Sequence, residues 1–216
     1  MPSIRLDGQP VEGLYLTDSM GATWIADVEL AADEAPAGDV ELSDGTRTMR
    51  GHVIPGSSGI LAGLARVRVI GGRGGLLRPV EAKHFRSVQV REVLSDTLQS
   101  IGEALDSSAA RQELSTLLAQ WSRFAGPSGA AMVAVLEQVG ASWRTLDNGN
   151  VWAGVPAYPE SESTALVLDR FEHQGWGFCA PEGLDLVPGE FFDDREIRRV
   201  QYSIEGGHLR ARYWWN

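Results

Sequence analysis

Hydrophobic and polar residues alternate over much of the first eighty and last fifty or so positions; between them, apolar residues recur at three- and four-residue spacing. A strand from Ser3 to Leu6 runs into Asp7-Gly8, a dipeptide suited to a tight hairpin because both residues tolerate positive φ. In Thr23–Leu30, a two-residue period places Trp24, Ala26, Val28 and Leu30 on one face, although Ile25 interrupts the polar side. Ala31–Gly38 is a loop of small and acidic residues. A second hairpin is predicted at Asp44-Gly45, between Val40–Leu42 and Thr46–Ile54, and Leu64–Val69 alternates cleanly. Several short strands with a turn about every ten residues predict a small barrel or sandwich.

The middle changes period. Val90, Val93, Leu94, Leu98, Ile101 and Leu105 share one helical face, and Leu114, Leu117, Leu118 and Trp121 predict a shorter helix over Arg111–Trp121. Gly126-Pro127-Ser128 opens a third helix, with proline where a missing N–H costs little and Gly140 as its C-cap. Asp147-Asn148-Gly149 then joins Ala141–Leu146 to Asn150–Val155 as a hairpin, with Trp143 and Trp152 expected to pack on the helices. Pro156–Ser163 reads as a linker. Strands return at Thr164–Leu168 and after the turn at Leu186–Phe192. Ile197–Ile204 is expected to pair with Leu209–Trp215 across Glu205-Gly206-Gly207, with Val200, Tyr202 and Ile204 on one face. The fold class is therefore α+β, with β-structure at both ends and a helical and hairpin module between them.

Composition narrows the chemistry. Twenty-nine acidic residues against 19 basic ones give a formal charge of −10, which disfavours specific nucleic-acid binding. No stretch is apolar enough over some eighteen residues for a membrane helix, and Met1–Arg5 lacks the order of a secretory signal. The chain is therefore expected to remain in, or assemble in, the cytoplasm that makes it. Cys179, the one cysteine, excludes an intrachain disulfide and reads as a buried small hydrophobe.

No catalytic residue, metal ligand or cofactor is expected. Gly71-Gly72-Arg73-Gly74-Gly75 is followed by Leu76-Leu77 instead of the lysine and hydroxyl of a phosphate loop, so it reads as a flexible connection. His52, His84, His173 and His208 are too widely spaced for a local metal box. Asp33-Glu34, Glu160 with Glu162, and Asp193-Asp194 read as solvated loop or turn acids. Seven tryptophans are many for this length, and most suit core positions. Trp214-Trp215 differ, because adjacent strand residues point to opposite faces and one must meet solvent or a partner. Trp214, Trp215 and Tyr213 are therefore the candidate interface residues.

The order of elements carries a resemblance. Val90–Asp96, Trp121-Ser122-Arg123-Phe124, Gly126–Gly140, Trp143–Gly154, Leu186-Val187-Pro188-Gly189 and Leu209–Arg212 together resemble the hub proteins of phage tail baseplates and tail tips. The hub portion of type VI secretion spikes shares that design. The resemblance spans roughly Val90–Trp215 and rests on ordered patterns.

It implies small tail-tube-type β-barrels at the two ends, residues 1–86 and 158–216, flanking an α/β module over 87–157. About fifty residues after the linker is short for a whole second barrel, so that barrel is either minimal or shares strands from both ends. The resemblance further implies a non-enzymatic homotrimer with pseudo-sixfold symmetry, built in the host cytoplasm into the virion tail. There it would join the tail tube protein to the central spike protein beside other baseplate proteins. A tail-associated peptidoglycan hydrolase and a soluble tail-assembly chaperone are the alternatives.

Overall fold

The computed structural model describes residues 4–215. The first third is β-structure: β1 (Arg5–Leu6), β2 (Gln9–Ser19), β3 (Ile25–Leu30), β4 (Asp39–Ser43), β5 (Thr48–Val53), β6 (Gly59–Leu61) and β7 (Leu64–Gly71). The middle holds β8 (Pro79–Val80), β9 (Lys83–Gln89), α1 (Val90–Ser100), the single turn α2 (Arg111–Leu114), β10 (Leu117–Arg123), β11 (Gly126–Pro127), α3 (Ser128–Leu136), β12 (Ser142–Thr145) and β13 (Val151–Gly154). β14 (Leu166–Phe171), β15 (Trp176–Ala180), β16 (Phe191–Phe192), β17 (Arg195–Glu205) and β18 (His208–Trp215) complete the chain.

Among the described residues, the two β-rich ends form one 12-stranded sheet in the order β1-β4-β5-β7-β3-β2-β17-β18-β15-β14, with β6 on β7 and β16 on β17. β1 also pairs with β2, so the pairings of the first third return on themselves. The two ends meet at a seam between β2 and β17, where Leu16 is opposite Tyr202 and Asp18 opposite Val200. All four are buried, so the inner face continues across the seam without a break. One hydrophobic core accordingly runs from Leu6, Leu16, Trp24 and Leu42 to Tyr202, Ala211 and Tyr213. Strands from both ends thus share one sheet.

Local chemistry explains most turns and faces. Asp7 and Gly8 both have positive φ, 50° and 78°, as a two-residue primed turn requires. Trp24, Ala26, Val28 and Leu30 are all buried, as their two-residue spacing predicts. Trp24 lies flat against the backbone of two strands: a Cβ at Gly51 would come 2.5 Å from its ring, and one at Gly71 2.5 Å from its Nε1. Only glycine fits beneath the indole at these two positions.

The middle builds its own core from α1, α3 and the β12–β13 hairpin, with Val93, Leu94, Leu98, Met132, Leu136 and Trp143 buried together. α1 begins with a capping box in which Gln89 and Glu92 exchange side-chain-to-backbone bonds, and Gly140 closes the helical segment in the left-handed conformation. The predicted Arg111–Trp121 helix stops after one turn. Its leucine spacing is met instead by a ribbon, because β10 pairs with β9 and sets Leu118 opposite Val88 and Trp121 opposite Phe85. Cross-strand packing overrides the local period there. Trp143 packs toward Gly129 of α3 as expected. Trp152 lies opposite Arg144 on the other face of the hairpin and is half-buried.

Candidate assembly interface

The inner face is welded by buried polar groups before any outer surface is presented. Arg47, in the β4–β5 loop, donates to both carboxylate oxygens of Asp147 at 2.8 and 2.6 Å and to the Leu184 carbonyl at 2.9 Å, and it lies 3.4 Å from the buried Asp18. Burial opposes its charge, but the two carboxylates and the bonds they accept hold the guanidinium protonated. This one side chain joins the β4–β5 loop, the β12–β13 turn and the segment before β16. Nearby, the Tyr202 hydroxyl donates to the Leu186 carbonyl at 2.9 Å and accepts from the Leu186 N–H at 2.7 Å.

The glycine-rich segment also has an internal role. Gly72 and Gly74 have positive φ, and the N–H groups of Arg73 and Gly75 donate to the Glu103 carboxylate at 3.0 and 2.7 Å. The loop that invited comparison with phosphate cradles therefore wraps a carboxylate of its own chain.

β18 alternates strictly. Ala211, Tyr213 and Trp215 point into the core, while Arg210, Arg212 and Trp214 point outward. Of the three candidate interface residues, Tyr213 and Trp215 thus lie on the inner face, and Trp214 is the one reaching the outside. Tyr213 is buried edge-on to Phe192, with ring centroids 5.2 Å apart, and its hydroxyl donates to Asp193 at 2.6 Å. Burial, then the bond to Asp193, raises the Tyr213 pKa well above the usual phenol range.

Asp193 and Asp194 form a two-residue turn with φ of 56° and 60°, which bears out the turn reading. Asp193 is not solvated, however: its side chain is almost wholly covered and is also ion-paired with Arg170. Cys179, on β15, is buried, and burial pushes its thiol up to about 12, so it is inert at neutral pH.

The register of the outer face brings together residues that are far apart in sequence. Phe171 pairs with Trp176, Trp176 with Trp214, Trp214 with Arg199, and Arg199 with Ser19, a single row across β14, β15, β18, β17 and β2. Phe171 and Trp176 stack at 4.0 Å with an interplanar angle of 19°, and Trp176 and Trp214 are tilted at 6.5 Å. Arg199 lies 4.7 Å over the Trp214 ring and Arg212 lies 5.5 Å over Trp176.

Cross-strand aromatic pairs contribute about 0.5–1.5 kcal/mol each beyond area burial, which favours this arrangement in the free chain. Arginine and tryptophan in a partly exposed row match the composition of binding hot spots. That one of Trp214 and Trp215 must face outward was legible, but Phe171, Trp176, Arg199 and Arg212 were not assigned to an interface. Only the pairing register could have gathered them.

Charges on the outer face of the first third are used differently. Arg68 is bidentate to Asp27 and Arg66 pairs with Glu29 across β3 and β7, so opposite charges there neutralise one another. His52 is bonded to Asp39 at 2.7 Å and His84 to Ser122 at 3.0 Å. No group of three or more His, Cys, Asp or Glu among the described residues is arranged to hold a metal ion.

No family model matches this sequence, and no curated protein matches it. Solved structures do match. A 43 kDa tail protein of prophage MuSo2 from Shewanella oneidensis aligns with a TM-score of 0.71 at 8% identity, over 99% of this chain and 97% of that one. The tail protein from Neisseria meningitidis MC58 aligns at 0.68 and 10% identity, over 99% and 95%. A component of the type VI secretion system of E. coli, itself structurally similar to the T4 bacteriophage tail proteins gp27 and gp5, aligns at 0.67 and 12%, over 97% and 75%. The resemblance to phage tail proteins and to a type VI secretion component, expected from the order of elements, is present in the fold of this chain.

Proposed function

We propose that this chain is a non-enzymatic structural component of a phage-type tail, a baseplate or tail-tip hub protein. In this reading it is a homotrimer with pseudo-sixfold symmetry that joins the tail tube protein to the central spike protein beside other baseplate proteins of the virion. The self-returning circuit of β1, β4, β5, β7, β3 and β2 serves as the tail-tube-type barrel. Residues 1–86 and 158–216 act as the ring-forming parts, with 87–157 as the module beside them.

The observation that carries the reading is the outward row Phe171–Trp176–Trp214–Arg199, on a fold shared with tail proteins. Such a row, with no acid–base pair set in a cleft beside it among the described residues, suits docking and not bond-breaking. Trp214 is the contact residue, and Tyr213 and Trp215 hold it from the inner face.

The test is Trp214→Ala, followed by light scattering and mass photometry. Deleting the residues after Arg212 is less informative, because it also removes the buried Tyr213 and Trp215. With Trp214→Ala, the trimer is expected to dissociate at least tenfold more readily while the thermal midpoint changes little. A trimer of unchanged affinity, or release of fragments from purified peptidoglycan by the wild-type chain, would overturn the proposal.

A further inference from the structure

The run β6-β7-β3-β2-β17-β18-β15-β14 ends on two open edges: among the described residues, β14 pairs with β15 alone and β6 with β7 alone. Both edges carry exposed aliphatic side chains, Leu166 (66%) and Leu168 (46%) on β14, Ile60 (51%) and Leu61 (56%) on β6. Free edges in soluble proteins are usually blunted by charge, proline or a bulge, because unpaired N–H and C=O groups recruit another strand. On β14 the blunting covers one end only. The Arg170 N–H is taken by the Asp169 carboxylate at 2.8 Å, and the ladder is irregular between Val167 and Asp169. The bulge falls at Leu168 and ends the regular edge, so the outer side left unpaired is Leu166–Leu168, three residues, the length of β6.

Strand direction supplies the second argument. Every neighbouring pair in the run is antiparallel, and the run has eight strands, so β6 and β14 point in opposite directions. Rotation of one copy onto the next about an axis along the strands preserves direction. It therefore sets β14 of one copy beside β6 of the next in antiparallel sense, the only sense used elsewhere in this sheet. With an odd number of strands the same rotation would force a parallel junction.

We infer that copies of this chain join head to tail by pairing β14 (Leu166–Leu168) with β6 (Gly59–Leu61) of the neighbour, making one continuous sheet around the ring. This inference rests on the ring reading above and names its junction. The contact is heterologous, so each copy uses two different edges and the assembly closes only by completing the rotation. Leu166, Leu168, Ile60 and Leu61 are covered at the junction, and the aromatic row runs inward from it, from Phe171 on β14 through Trp176 on β15 to Trp214 on β18.

The experiment uses the full chain with Ile60→Lys and, separately, Leu166→Lys. Both positions are exposed, so the fold is kept and circular dichroism is expected to match wild type. Each variant alone is expected to lose the ring and run as monomer in mass photometry. An equal mixture of the two is expected to give heterodimers and nothing larger, since one intact β14 still meets one intact β6. Leu61→Cys combined with Leu166→Cys, which stand opposite each other in this antiparallel register, is expected to yield disulfide-linked rings on oxidation, with the buried Cys179 a bystander.

Dimers from Ile60→Lys alone would show β14 pairing with itself and overturn the head-to-tail junction. Rings that persist in both lysine variants would overturn the junction and leave the ring reading standing. A wild-type chain that stays monomeric at every concentration would overturn both.

Discussion

The first third of the sheet closes on itself; the last third does not. In the first, β1 bridges β2 and β4, and the outer charges of β3 and β7 are paired across strands. In the last, the strand order runs out at β14, whose residues are nearly all exposed, and the outer face carries aromatics under arginines. Both thirds obey the same alternation and share one core. The difference teaches that one sheet holds a part that closes on itself except at the short β6 and a part that ends on an open strand.

The sharpest way to break this comparison is at the seam. Arg47→Ala leaves the buried Asp18 and the Leu184 carbonyl without their partner, and breaking a buried ion pair of this kind costs about 3–5 kcal/mol. Urea unfolding should shift by that amount in a single transition, because both thirds share the core. Two separate transitions would mean that the thirds are independent units.

A smaller effect is expected inside the closed part. Gly71→Ala places a methyl group 2.5 Å from Trp24 Nε1, and such overpacking costs about 1–3 kcal/mol. The midpoint of thermal unfolding monitored by Trp fluorescence should fall, with assembly unaffected once the chain is folded. An unchanged midpoint would mean that the indole has room to move.

The smallest is expected in the open part. Tyr213→Phe removes the hydroxyl bonded to the Asp193 carboxylate and should cost about 1.5 kcal/mol in chemical denaturation, the low end for a charged acceptor because Arg170 still pairs with Asp193. The same variant should assemble like wild type, since Tyr213 faces inward. Loss of assembly without loss of stability would place the contact on the opposite face from Trp214.

Much of this was readable residue by residue. Asp7-Gly8 specifies its turn, and the spacing of Trp24, Ala26, Val28 and Leu30 specifies a buried strand face, because both depend on neighbours within a few positions. Val90, Val93, Leu94 and Leu98 likewise specify α1. Leu114, Leu117, Leu118 and Trp121 misled, since a helical spacing was used as a ribbon once β9 offered partners. The glycine-rich loop misled in another way: the anion it wraps, Glu103, lies some thirty residues away.

The candidate interface was half legible. That Trp214 and Trp215 must face opposite ways follows from strand geometry alone, but which faces outward depends on β18 lying between β15 and β17.

By itself the sequence determined most of the strand and helix periods, the turns and the opposition of the two terminal tryptophans. These are short-range consequences of backbone geometry and side-chain polarity. Only the tertiary structure decided that the two ends share a sheet through β2 and β17, that Phe171, Trp176, Trp214 and Arg199 stand in one row, and that β6 and β14 are left open. Strand register is a long-range choice made by burying the inner faces of Leu16 and Tyr202 together, and no local pattern encodes which distant strand will be the partner.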